Sequence, residues 1–291
     1  MKLKVSWASI RNRRKENQDN LSIGEQAAFP EGIEERHISG QVLMDIRENN
    51  EVLFAVADGC CTSGKHAAAH CLEGLRESFY SFYNTATETE TEEQTVLCEP
   101  LHTRTTGEPP LPVLRPVSQL LPLRAASLLE YEEEAEPAPS RLMAAAMEAR
   151  DALAETYRDL DGGCTLCAVS VYANGEVEWV SAGDSSIWLV HRGKLTLINP
   201  LDNRYYSHKA LGLPANPKEK SILFNYIGGA DAELHTGSVS LHHGDTLALC
   251  TDGVDMNPLS RFLLKLKGSA DQLCTISNAS DNATAVVIRR V

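Results

Sequence analysis

Val52-Leu53-Phe54-Ala55-Val56-Ala57-Asp58-Gly59-Cys60-Cys61-Thr62-Ser63-Gly64-Lys65-His66 decides the reading of this chain. Six apolar residues without a polar face predict a buried strand, Val52–Ala57. The run stops at a carboxylate, Asp58, followed by glycine, two cysteines and the helix-capping pair Thr62/Ser63. A helix to about Tyr83 should follow. A strand that turns into a helix around an aspartate, with cysteines and a histidine beside it, offers three chemistries: a thiol site, a zinc site or a carboxylate site. The remaining segments must choose among them.

Outward from this stretch, apolar runs recur with strand character. Met1–Trp7 alternates. Thr165–Tyr172 and Glu176–Ala182 flank Ala173-Asn174-Gly175, a hairpin signal. Ser185–His191 and Lys194–Ile198 are joined through Arg192-Gly193, Thr246–Thr251 ends at Asp252, and Ala283–Ile288 follows Asp281-Asn282. A second helix begins at Ser140, with apolar residues at Leu142, Ala146, Ala149, Leu153, Tyr157 and Leu160 making one stripe. Many antiparallel strands with two long helices between them predict an α+β fold.

Composition bounds the function. The net charge is -13, but residues 84–140 hold eleven Glu against three Arg, with no Asp or Lys, and eight of the thirteen prolines. That composition cannot bury enough apolar surface to offset chain entropy. We expect a single domain, 1–291, interrupted there by an acidic, Pro-rich and largely mobile insertion, which is also a candidate partner contact. Absence of a basic stripe argues against nucleic acid. The absence of an apolar run long enough for a membrane helix, and of a signal-peptide pattern, predicts a cytoplasmic protein. Its eight cysteines, mostly inside apolar runs, read as reduced and buried. Cys164-x-x-Cys167 has metal spacing but would lie on a strand that points the two thiols to opposite faces. His66 and His70 share a helix face without a third ligand. Both pairs read as packing or surface residues.

The carboxylates carry more. Asp58, Asp252 and Asp281 each border an apolar β-run, and Asp19 and Asp184 sit in Asn17-Gln18-Asp19 and Gly183-Asp184-Ser185. One aspartate at a strand end is a turn former. Several gathered at one edge would repel each other unless cations neutralise them. Hard oxygen donors select Mg²⁺ or Mn²⁺ over zinc.

In order and wording these segments resemble the metal-dependent serine/threonine protein phosphatases of type 2C, in their compact bacterial form. Arg14-Lys15-Glu16-Asn17-Gln18-Asp19 resembles the opening R-x-x-N-E-D, and Phe54–Gly59 the strand ending in D-G. Gly163-Cys164-Thr165 with Gly183-Asp184-Ser185 resembles G-x-T and G-D-S-R. Gly244–Leu247 to Thr251-Asp252-Gly253 resembles G-D-x-L…S-D-G, and Asp281-Asn282-Ala283-Thr284 the closing D-N-x-T. The resemblance covers nearly everything except residues 84–140 and parts of 199–240.

It implies a four-layer α-β-β-α sandwich of two antiparallel sheets flanked by helices. It also implies a monomer that hydrolyses phosphoserine and phosphothreonine in protein substrates through a metal-bridging water, without a covalent phospho-enzyme. Two Mn²⁺ or Mg²⁺ ions, with a weaker third, are implied. By position Asp58 bridges the metals, Gly59 offers its carbonyl, Asp252 and Asp281 bind the first metal, Asp19 acts through waters, and Asp184 helps form the third site. Arg14 grips the phosphate. The chain departs from the pattern at Gln18, at Cys60–Ser63 and at Ser186, and residues 199–240 lack the T-x-D-H-S wording. Those departures motivate the alternative of a catalytically weak relative that binds phosphoproteins or metal as a regulatory module.

Overall fold

A computed structural model describes residues 1–25, 29, 31–47, 50–93, 138–229, 231–277 and 280–291, with backbone alone for 82–93. Residues Met1–Thr85 and Pro139–Val291 form one compact unit; the second unit, Ala86–Ala138, falls mostly outside the described residues. The insertion expected over 84–140, with its candidate partner contact, therefore lies mostly outside them too.

Twelve strands follow in chain order: β1 Lys2–Ile10, β2 Asp19–Ile23, β3 His37–Asp45, β4 Glu51–Cys60, β5 Gly163–Cys164, β6 Leu166–Tyr172, β7 Glu176–Ala182, β8 Ser186–His191, β9 Lys194–Leu197, β10 His235–Ser240, β11 Thr246–Cys250 and β12 Ala283–Arg290. The helices are α1 Gly64–Glu93, α2 Arg141–Thr156, α3 Arg204–Ala210, α4 Pro258–Lys265 and α5 Ala270–Thr275. One sheet runs β3-β1-β12-β11-β8-β9, the other β10-β7-β6-β4-β2 with β5 paired to β4. All named pairings are antiparallel.

Strand alternation builds the layers. Leu21, Phe54, Val56, Cys167 and Val169 of one sheet meet Leu3, Val5, Ile187, Leu249 and Ile288 of the other in the inter-sheet core. The opposite face of β4 and β6 (Leu53, Ala55, Ala57, Leu166, Ala168) buries against α1 and α2 through Ala68, Leu72, Leu75, Leu142, Ala146 and Leu153. On the far side Ala248, Cys250, Ala285 and Val287 take Leu264 of α4 and Leu273 and Cys274 of α5. The result is the expected α-β-β-α sandwich.

Three local expectations change. β4 extends through Asp58 to Cys60, because Gly59 and Cys60 pair with β5; Asp58 is thus inside a strand rather than at its end. Helix α1 continues to Glu93, ten residues past the expected stop. The run Thr85–Glu93 lacks proline and supplies several glutamates, good helix formers. Helix α2 is capped by Ser140, whose side chain accepts from the Met143 N–H, but ends at Thr156. Leu160 lies beyond it, exposed, and does not belong to the buried stripe. Five of the described cysteines are buried as expected, whereas Cys60 is half-buried and Cys61 exposed. All seven described are free, and Cys164 and Cys167 are buried in different cores on opposite faces.

Candidate metal centre

One end of the sandwich gathers the site. β4 and β11 finish there, β2, β8 and β12 begin there, and the loop after β1 carries Arg14. Asp19 stands opposite Asp58 in the β2–β4 register. Asp184 immediately precedes β8, Asp252 follows β11, and Asp281 precedes β12. All five aspartates of the sequence reading and Arg14 are therefore brought to a single edge.

Burial and mutual charge perturb four of their carboxyls. Burial pushes the Asp19 carboxyl up to about 7, with the Asp252 charge adding to it. Asp58 is pushed well above the usual carboxylate range by burial and by the charges of Asp19, Asp252 and Asp184. Asp184 rises to about 7 through burial and the Asp252 charge. Asp252 rises through burial and the Asp281 charge. Arg14 closes the rim: its guanidinium donates to Asp281 Oδ2 at 2.6 Å while 49% of the side chain stays exposed. That bond holds the guanidinium charged, helped by Asp58 and Asp252.

Backbone packing fixes these positions. Gly253 passes so near Asn282 that any added Cβ would overlap its carbonyl oxygen, and this close approach sets Asp252 beside Asp281. Gly59 lies against Gly64 in the same way, its missing Cβ leaving room for the start of α1. Thr165 binds the Asp58 N–H through Oγ1 at 3.1 Å and meets Ser185 Oγ at 2.6 Å, tying β4 to the Asp184 loop.

Several residues that hold the site carried no role in the sequence reading. Asn282 accepts from the Gln18 N–H and donates to the Arg11 and Glu16 carbonyls, clamping the loop that bears Arg14 and Asp19. Thr251 donates from Oγ1 to Asp19 Oδ2 at 2.9 Å. Asp202 accepts from the Gly183 N–H at 3.0 Å and from Asn225, and His235 Nε2 lies 2.9 Å from it; Asn203 donates to Asp184 Oδ2 at 3.1 Å. Asn282 and Thr251 each abut a motif aspartate in sequence, a usable signal; Asp202, Asn203 and Asn225 sit in stretches with no apolar pattern, and nothing local marks them.

The departures also resolve into contacts. Gln18 donates to the Cys61 carbonyl at 3.2 Å, so it supports the turn after Gly59. Ser186 is buried, donating to the Cys250 carbonyl and accepting from the Trp188 indole. Cys61 has a left-handed backbone, φ 69°. Burial holds both the Cys60 and Cys61 thiols above their usual range, so neither is primed as a nucleophile.

The solved structures most like this one include a *Mycobacterium tuberculosis* serine/threonine phosphatase, PstP/Ppp, at 17% identity and a TM-score of 0.59, covering 100% of this chain and 99% of that one. The fold is that of the PPM-type serine/threonine phosphatases. A second neighbour of this phosphatase fold is the PPM phosphatase MsPP of *Mycobacterium smegmatis*, solved with cacodylate (17% identity, TM-score 0.58, 99% and 98% covered). A third is the catalytic domain of PstP in complex with two manganese ions (20% identity, TM-score 0.56, 99% and 98% covered). No family model matches the sequence, and no curated protein does. Likeness at these identities speaks for the fold; the chemistry must come from the residues.

Those residues fit divalent cations. Asp19 Oδ1 is buried without a hydrogen-bond partner, a costly arrangement unless a cation or its waters face it. The donors are carboxylate oxygens, the set that suits Mn²⁺ and Mg²⁺.

Proposed function

We propose that this protein belongs with the type 2C phosphatases and hydrolyses phosphoserine and phosphothreonine in proteins, using Mn²⁺ or Mg²⁺. One observation carries the reading: five aspartates meet at one edge, four of them (Asp19, Asp58, Asp184 and Asp252) raised by burial and neighbouring charge, with an orphaned carboxylate oxygen and an arginine at the rim. Asp58, Asp252, Asp281 and the Gly59 carbonyl would hold two ions, Asp19 acting through their waters and Asp184 serving a weaker third. Bound cations supply positive charge and lower the pKa of water at neutral pH.

The chain's own residues do the rest. Arg14 presents a forked donor to the phosphate oxygens and offsets its charge. Its bond to Asp281 sets the direction of that fork. Thr165, Thr251, Asn282 and Asp202 hold the carboxylates in place, so little reorganisation accompanies reaction. No described side chain at the site is a ready nucleophile, which agrees with direct attack by water and no phospho-enzyme.

The test is Mn²⁺-dependent hydrolysis of p-nitrophenyl phosphate and of a phosphothreonine peptide, with chelator as control and Asp252→Asn as the variant. Activity that needs metal and falls at least a hundredfold in the variant supports the proposal. Phosphopeptide binding without turnover at saturating metal would favour the regulatory module instead.

A further inference from the structure

The opposite end of the sandwich carries a second cluster with different donors. β8 ends there at His191, and the turn between β10 and β11 carries His242 and Asp245. His191 Nδ1 lies 2.8 Å from Asp245 Oδ2, and His242 Nδ1 lies 3.4 Å from the same oxygen. The two rings have centroids 4.9 Å apart. One nitrogen from each ring and one Asp245 oxygen all lie within 4.8 Å of one another.

The carboxylate is the fixed member. Its side chain is 5% exposed. Oδ2 accepts the His242 backbone N–H at 2.9 Å, and the Asp245 N–H reaches the His242 carbonyl at 3.0 Å. A tight turn needs those two bonds only. It does not need two imidazoles aimed at the same oxygen. The His242 ring is 62% exposed and touches Asp245 Oδ2 only through the 3.4 Å approach of Nδ1.

We propose that His191, His242 and Asp245 form a binding site for a borderline first-row divalent cation, with Zn²⁺ as its type. Bonds of about 2.0–2.2 Å to N and O place tetrahedral donors roughly 3.4 Å apart; His242 Nδ1 stands at that distance from Asp245 Oδ2, and His191 Nδ1, at 2.8 Å, would open slightly. Two imidazoles and one carboxylate are the donors such ions favour, whereas Mg²⁺ and Ca²⁺ prefer all-oxygen sets. Arg192, Lys265 and Lys267 border Asp245 on its other side, which further disfavours an ion held by charge alone. The remaining coordination position faces a groove of about 550 Å³ that His191 and His242 line with Lys194, Thr196 and Val239. His191 ends a strand of one sheet, Asp245 directly precedes another strand of that sheet, and His242 follows a strand of the other. The ion would therefore staple the two sheets at the end remote from the carboxylates. The inference is independent of the phosphatase reading.

The experiment is calorimetric titration of Zn²⁺ into the chelator-stripped full chain, in excess Mg²⁺ to occupy oxygen-donor sites. His191→Gln and His242→Gln are compared with wild type, and metal-free melting curves verify folding. His242 is exposed, so its variant should melt as wild type does. We expect one saturable Zn²⁺ per chain, weakened at least tenfold in either variant, and a Co²⁺ visible spectrum of tetrahedral intensity that both variants lose. Absence of saturable Zn²⁺ binding in excess Mg²⁺, or Zn²⁺ affinity that folded His242→Gln leaves unchanged, overturns the proposal and leaves the cluster as an ion pair only.

Discussion

Asp19→Asn should stabilise the metal-free protein and cripple the metal-loaded one. In the fold Asp19 is 1% exposed, and burial moves its carboxyl from 3.8 to about 7. A raised native pKa means that ionisation opposes folding. At about 1.4 kcal/mol per unit, that gap corresponds to at most about 4 kcal/mol above neutrality; because Asp19 titrates together with Asp58, we take about 2 kcal/mol as the order of magnitude. Asparagine removes the charge. Its carbonyl oxygen can still accept from Thr251 Oγ1, and its amide can face Asp58, the neighbouring carboxylate. The sign follows. Below about pH 4 the aspartate is protonated in both the folded and unfolded states, so the variant gains nothing. The gain grows as pH rises from 3.8 to about 7 and levels off above. For a chain of this size about 2 kcal/mol amounts to roughly 4–8 °C in Tm. The assay is thermal melting in chelator across that range, repeated with Mn²⁺. With Mn²⁺ the order should invert, since wild type gains the binding free energy and the variant forfeits much of it. A gain that ignores pH, or a variant less stable than wild type at pH 8 in chelator, refutes the claim that Asp19 is held at a cost.

Arg14→Ala should leave Tm nearly unchanged, since a rim ion pair contributes about 1 kcal/mol or less, while KM for p-nitrophenyl phosphate rises about tenfold or more with the loss of a charge-assisted contact; Arg14→Lys should rescue it only in part. Gly253→Ala must displace the Asp281-Asn282 segment, so we expect destabilisation of at least about 3 kcal/mol in urea melts, with Mn²⁺ binding lost before the fold is. The double variant Cys60→Ser/Cys61→Ser should keep at least half of the wild-type turnover, and iodoacetamide should label the wild-type thiols slowly at neutral pH, as their raised pKa values require; rapid labelling coupled to inactivation would reverse that reading.

The long elements were legible because periodicity and punctuation agreed: Asn174-Gly175 marks the β6–β7 turn and Ser140 the start of α2. What escaped did so for physical reasons. β3 is edge-placed and mostly exposed, with burial alternating weakly along His37–Asp45, and β10 reads His-Thr-Gly-Ser-Val-Ser with a single apolar residue. Both draw their order from a neighbour's ladder rather than from their own side chains. β2 is only five residues long, Asp-Asn-Leu-Ser-Ile, yet wholly buried: Asp19 Oδ2 accepts from Thr251, Asn20 donates to the Phe29 carbonyl and the backbone pairs with β4, while Ser22 Oγ and Asp19 Oδ1 stay unpartnered. Helix α1 overran its expected end because composition alone does not say where a helix stops. At the site, the aspartates were visible in sequence while their orienting partners were not. Asp202 acts across nineteen residues on the Gly183 N–H, a separation that no local pattern encodes.

The fold also contains its own control for the bland reading of these aspartates. Asp202 is buried too, and it is bonded out to the Gly183 N–H, Asn225 and His235. That is how an aspartate serving a turn or a loop meets the demand that buried polar atoms be paired. Asp19 is as deeply buried and leaves Oδ1 without a partner, facing a group of like-charged residues that raise one another's pKa. A chain selected only for folding could relieve that edge with one asparagine, as the Asp19→Asn prediction states. The arrangement makes physical sense when the missing partner is a cation, since the same orphaned oxygen and mutual repulsion that cost stability in the free protein become binding free energy in the loaded one.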